Sequence, residues 1–188
     1  MENIGVLLGK SLRAITPQEL ASYATSAFLT VGDQADYLYF LPRILEITAT
    51  EPSWWPDPEV TGRAIRTAKP ETWIEAQRTA LNDYLESVVG NAIQSGQYYL
   101  IDDWICAIAR MGFDVAPYLA EVAKCPAAVL EYFEANVKSL PQNKLTNAFW
   151  ELPSAAHDAI VDWFFSEEIS RITSVAYGYD LPRVINVE

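Results

Sequence analysis

The chain has 188 residues, enough for a single domain to bury its own core without disulfide or metal staples. Its net charge of -12 repels nucleic-acid phosphates and anionic membrane surfaces alike, and favours a basic protein as partner. Two cysteines, Cys106 and Cys125, make neither a disulfide framework nor a Cys-x-x-Cys metal site, and read as small buried hydrophobes in a reducing compartment.

The opening residues carry no basic start followed by a long apolar run and a small-residue cleavage site, so no signal peptide is read. No apolar run approaches about 18 residues, so no membrane-spanning helix is expected and the cytoplasm is the expected location. Met1 to Ile15 reads equally as a helix start or a short extended arm. Thr16-Pro17-Gln18-Glu19 is a capping box with proline at the tolerated first position. The helix it opens should run to about Leu29, with Leu20, Tyr23, Ala24, Ala27 and Phe28 on one face.

The densest apolar stretch follows, from Asp33 to Thr48. Gly32 can end one helix with a positive φ, and Asp33 can cap the next, with Asp36 at its third position. Tyr37, Phe40, Leu41, Ile44 and Leu45 then recur at helical spacing, and Leu38 and Tyr39 widen the stripe. Pro42 interrupts it: the helix must kink there or end and restart. A kink would free a carbonyl and aim Arg43 outward, with Glu46 one turn away as its ion-pair partner. The residues Val31-Gly32-Asp33 followed by Tyr39 to Glu46 (YFLPRILE) resemble a pattern in small bacterial hypothetical proteins of unknown function. That resemblance implies a bacterial origin and brings no activity with it.

Prolines at 52, 56 and 58 rule out regular structure around Trp54-Trp55. A helix should run from about Pro58 to Ala68, and another from about Glu71 to Val89, with Trp73, Ala76, Ala80, Leu81, Tyr84, Leu85, Val88 and Val89 facing inward. Gly90 to Gly96 reads as a break or a frayed end. Tyr98 to Met111 is helical and is closed by Gly112; Asp114 caps a short helix to about Lys124, and Cys125-Pro126 opens one to about Ser139. Leu140 to Asn143 is a turn, and Lys144 to Glu151 a short helix. Ser154 should cap a long final helix to about Ala176, followed by an irregular tail over residues 177–188. The expectation is an all-α fold of eight to ten helices in one domain, residues 1–188, either a globular bundle of helical hairpins or a short HEAT-like stack.

The chemistry-bearing residues are sparse. His157 is the single histidine and stands beside Asp158; metal phosphohydrolase and His-Glu-x-x-His sites need further histidines, so it reads as a surface or first-turn residue. No nucleophile elbow, phosphate-cradling glycine loop or calcium loop is present, and no catalytic residue, metal ligand or cofactor is assigned. The carboxylates are grouped: Asp158 with Asp162, Glu131 with Glu134, and Asp102 with Asp103. Like charges at such spacing cost a helix a few tenths of a kcal/mol, about 0.2–0.5, so they suit a solvated acidic face or a docking face for a basic protein. Trp54 and Trp55 either plug the core or anchor an interface. The leading functional reading is a protein-binding module, an immunity-type or inhibitor protein masking a basic partner. Its assigned contact residues are Asp158, Asp162, Glu131, Glu134, Trp54 and Trp55. A helical-repeat scaffold or adaptor is the second reading. The third is a helical hydrolase or small-molecule-binding protein with Arg43 and Glu46 in a pocket near Pro42.

Overall fold

The computed structural model describes residues 4–26, 33–51, 53–150 and 154–177. Among them are ten α-helices and no strand, so the protein is all-α, with the helix number expected from sequence. The chain divides into two compact units, Met1–Arg78 and Thr79–Glu188.

The first unit contains α1 (Ile4–Leu8), a 3-10 turn (Leu12–Ala14), α2 (Pro17–Ser26), α3 (Gln34–Thr50), α4 (Pro58–Thr67) and a second 3-10 turn (Pro70–Thr72). Helix α2 packs against α1, α3 and α4. Its start is the predicted capping box: Glu19 N–H donates to the Thr16 hydroxyl at 3.3 Å and Thr16 N–H to the Glu19 carboxylate at 3.0 Å. Lys10 also donates to Glu19, and this bond followed by the Thr16 bonds lowers the Glu19 pKa to about 2. Leu20, Tyr23 and Ala24 are buried as expected. Ala27, Phe28, Val31 and Gly32 lie outside the described residues.

Helix α3 begins at the Asp33 capping box, with Asp36 N–H donating to Asp33 at 3.0 Å and Asp33 N–H to Asp36 at 3.3 Å. The stripe Tyr37, Phe40, Leu41, Ile44 and Leu45 is buried, and Ile47 joins it. Tyr23 meets Phe40 with ring centroids 4.8 Å apart, which ties α2 to α3 through a tilted aromatic pair. The helix passes through Pro42 without ending. Pro42 is exposed, so the carbonyl it leaves unpaired faces the solvent side, where water can serve it.

The region after α4 departs from expectation. Lys69 turns the chain at φ 51°, and α5 (Glu75–Gln94) starts four residues later than predicted. Trp73 is therefore buried in the connection, not on the helix, and its indole N–H donates to Ala68 O at 2.7 Å. Leu81, Leu85 and Val89 are buried, but Ala76 and Ala80 are exposed: alanine at helical spacing reflects helix propensity as readily as a core face. The helix also runs through Gly90 to Gln94, where a break or frayed end was expected.

The second unit continues α5 and adds α6 (Leu100–Met111), α7 (Ala116–Ala123), α8 (Pro126–Asn136), a 3-10 turn (Leu140–Gln142), α9 (Ala155–Phe164) and α10 (Glu167–Tyr177). Helix α8 is its hub, packing on α6, α7 and α10. Gly112 closes α6 at φ 86°, the left-handed conformation that glycine adopts at no steric cost. Asp114 caps α7 from one position further out than usual, accepting from Ala116 N–H at 3.0 Å. Tyr132 and Phe133 of α8 meet Phe164 of α9 at 4.9 and 6.3 Å between ring centroids, so aromatic pairing joins these helices.

Two expectations fail in this unit. Lys144 to Trp150 is not helical, because its backbone donors bond side chains: Thr146 N–H donates to Asn136 Oδ1 at 2.8 Å and Phe149 N–H to Asn147 Oδ1 at 2.9 Å. The long final helix is two helices broken at Phe165-Ser166. The Ser166 hydroxyl donates back to Trp163 O at 2.7 Å and accepts from Ile169 N–H at 3.5 Å, ending one helix and starting the next. Tyr177, assigned to the tail, closes α10; the remaining tail residues lie outside the described ones.

The helix caps and the glycine inside α5 each set a measurable stability. Asp33→Ala removes the acceptor of the α3 cap and is expected to cost about 1 kcal/mol in urea unfolding. Gly90→Ala is expected to add about 0.5–1 kcal/mol in the same measurement, because a Cβ at Gly90 meets no atom within 4 Å. A loss of stability from Gly90→Ala would mean that the backbone at this point of α5 cannot hold its helical conformation once glycine is removed.

Candidate functional site

Two of the side chains predicted to act, Arg43 and Trp54, are held by backbone carbonyls. Arg43 is half-buried on α3, and its Nε donates to Ile15 O at 3.0 Å while Nη1 donates to Glu46 at 2.8 Å. Ile15 is the residue between the first 3-10 turn and the Thr16 cap, so Arg43 satisfies a carbonyl that no helix uses. Glu46 is exposed and holds the guanidinium from the solvent side. A cleft of about 280 Å³ in this unit is lined by Pro17, Gln18, Ala21, Glu51, Trp54 and Trp55 among others, and neither Arg43 nor Glu46 lines it.

The tryptophan pair divides its roles. Trp54 is half-buried, and its indole N–H donates to Pro17 O at 2.8 Å, tying the proline-rich loop to the first turn of α2. Trp55 is 49% exposed. Of the two, Trp54 is the more buried and Trp55 the outward one.

The grouped carboxylates of α8 and α9 face solvent. Asp158 and Asp162 are exposed one turn apart on α9, and Asp158 Oδ1 lies 3.1 Å from His157 Nδ1, which donates to it in the Nδ1–H tautomer. Glu131 and Glu134 are exposed on α8, with Glu134 accepting from the Tyr177 hydroxyl. His157 is in the first turn of α9, as expected, but it is not a surface residue: it is 3% exposed and packs edge-on against Trp150 with ring centroids 6.0 Å apart. The imidazole is held between the Trp150 ring on one side and the Asp158 carboxylate at Nδ1.

A buried polar cluster in the second unit was not singled out from sequence. Asn136, fully buried at the end of α8, donates to Tyr132 O at 3.1 Å and to Asp102 Oδ1 at 3.4 Å, and accepts from Thr146 N–H. Asn147 donates to Asp103 Oδ1 at 3.4 Å. Arg110 of α6 donates to Phe149 O and lies over the Phe149 ring at 5.6 Å. These bonds tie Thr146 to the end of α8, and Asn147 and Phe149 to the first and last turns of α6. Burial raises the Asp102 carboxyl above its ordinary value, and the bonds from Asn136 and Asn147 offset this only in part. The available signal was an asparagine at the end of one helix and an Asp pair at the start of another. The arrangement anchors a loop, with every named donor and acceptor engaged inside the protein.

Compared with protein-family models, with curated proteins and with solved structures, the chain matches none. No helix among the described residues is long and apolar enough to cross a membrane.

The raised Asp102 pKa has a testable sign. Ionisation of this carboxyl costs more in the folded than in the unfolded state, so the penalty is absent below the ordinary value of 3.8 and complete once the pH passes the folded value. Asp102→Asn keeps an acceptor and removes the charge. It is expected to be at least as stable as the parent at neutral pH, with the difference shrinking to nothing on acidification, as read by urea unfolding across that range. Marked destabilisation at neutral pH would show that the carboxylate charge itself holds the loop.

Proposed function

We propose that the protein is a protein-binding module that masks a basic partner, in the manner of a cytoplasmic bacterial immunity or inhibitor protein. The observation that carries this reading is the exposed carboxylate pair Asp158 and Asp162, set one turn apart on α9 in a chain of net charge -12. Two like charges at this spacing oppose the helix by about 0.2–0.5 kcal/mol, and a basic partner would convert that local cost into attraction. Glu131 and Glu134 on α8 extend the supply of outward carboxylates, and the exposed indole of Trp55 is the residue type that most often anchors an interface. The likeness of Val31 to Asp33 and Tyr39 to Glu46 to small bacterial proteins is what supports the bacterial setting.

The test is affinity capture from bacterial lysate, followed by kinetics with the purified captured protein. Asp158→Lys/Asp162→Lys is expected to slow association about tenfold or more, and added salt should slow the parent in the same direction. Trp55→Ala should speed dissociation if the indole is the anchor. A partner whose association is indifferent both to salt and to the double charge reversal would sink the acidic-face reading.

A further inference from the structure

The second unit carries a cleft that the acidic faces do not account for. It lies between α5 and α7, has a volume of about 340 Å³, and is lined by Glu86, Val89, Gly90, Pro117, Tyr118 and Glu121. Small-molecule sites begin at roughly this size, about 300 Å³. Val89, 2% exposed, and Pro117 give it an apolar wall, while the outward residues Glu86 and Glu121 put a carboxylate on each side.

Two observations distinguish this cleft from a dent between helices. Tyr118 lines it and is only 8% exposed, yet its hydroxyl has no hydrogen-bond partner among the described residues. The ring is packed away, whereas the hydroxyl is not enclosed, so a ligand in the cleft can reach it. Desolvation and then the charge of Glu86 raise its pKa, so the hydroxyl stays protonated, with its oxygen lone pairs and ring available to a ligand. The second observation is Gly90. Glycine is the poorest helix former after proline, yet it stands inside α5 at the wall of the cleft, where a Cβ would meet nothing within 4 Å. Backbone is therefore bared to the cleft, and any larger side chain there would occupy it.

We propose that this cleft binds a small organic cation, an alkylammonium or alkylguanidinium head on a short aliphatic body. Glu86 supplies the principal counter-charge, since Glu121 already pairs with Lys124 at 2.5 Å. The Tyr118 oxygen accepts from the head group and its ring faces the cation, while Val89 and Pro117 cover the aliphatic body. A divalent metal suits the site less, because two carboxylates set among apolar and aromatic neighbours do not make an oxygen-rich shell. The site is separate from the Asp158/Asp162 face and stands or falls independently of partner masking.

The experiment is an amide NMR titration of the full chain with butylamine and with butylguanidine, using butanol as the neutral control. Saturable shifts centred on Gly90 and Tyr118, with millimolar dissociation constants and no response to butanol, are the expected result. Glu86→Gln should weaken binding about tenfold. Gly90→Leu should abolish it while leaving the fold intact, because leucine is a better helix former and enters empty space. Asp158→Lys/Asp162→Lys should leave it unchanged. The proposal is overturned by the absence of shifts with either cation, by shifts that grow without saturating, by shifts spread over the acidic surface, by full binding in Gly90→Leu, or by a lysine-bearing peptide binding here while butylamine does not.

Discussion

Every helix end leaves backbone donors or acceptors without an intrahelical partner, and the described part of this chain has ten helices. That constraint governs where its polar side chains go. Buried backbone groups left unpaired cost about 1–3 kcal/mol each, comparable to the loss of a core side chain. The protein meets the demand with long side-chain donors reaching across the fold. Arg43 serves Ile15 at the end of the first 3-10 turn, and Gln34 and Trp73 together serve Ala68 at the end of α4. Arg78 serves Trp73, and in the second unit Arg110 serves Phe149.

The same demand sorts structural from available chemistry. Arginine at a helix kink and tryptophan in a proline-rich loop both suggest ligand contact when read alone. In the folded protein Arg43 and Trp54 have donor atoms occupied by carbonyls, and what remains outward is mostly carboxylate. Asp158, Asp162, Glu131 and Glu134 face solvent, whereas Asp102 is drawn inward by the amides of Asn136 and Asn147 and has its pKa raised by burial. Acidic character is thus a property of the surface more than of any buried centre. The α5–α7 cleft shares it, since both of its ionisable rims are glutamates.

Elements set by local rules are legible in the amino-acid order. The boxes at Thr16 and Asp33, the proline starts at Pro17, Pro58 and Pro126, and the glycine stop at Gly112 all act within one turn of their own residue. The core stripe of α3 is legible for the same reason, since periodicity decides which face is apolar. Where local rules fail, a distant group intervenes. Lys144 to Trp150 has ordinary helical composition, but Asn136 captures the Thr146 amide from ten residues away. Trp73 has the spacing of a helical core residue, but its indole is held by Ala68. The Ser166 break is different: a serine followed by Glu167 and Glu168 is a local start signal, and the surrounding apolar run obscures it.

The sequence by itself determined the all-α class, most helix starts and stops, the acidic surface and the apolar faces, because caps, periodicity and net charge are properties of neighbouring residues. Tertiary structure alone decided which of two adjacent tryptophans is exposed, that the one histidine is buried beneath Trp150, and that Arg43 is engaged by a backbone carbonyl. It alone also placed Tyr118, Glu86 and Gly90 around one cleft. The reason is physical: burial and hydrogen-bond partnership depend on which segments meet in space, and a side chain within reach of a free carbonyl will be held by it whatever its own neighbours in sequence suggest.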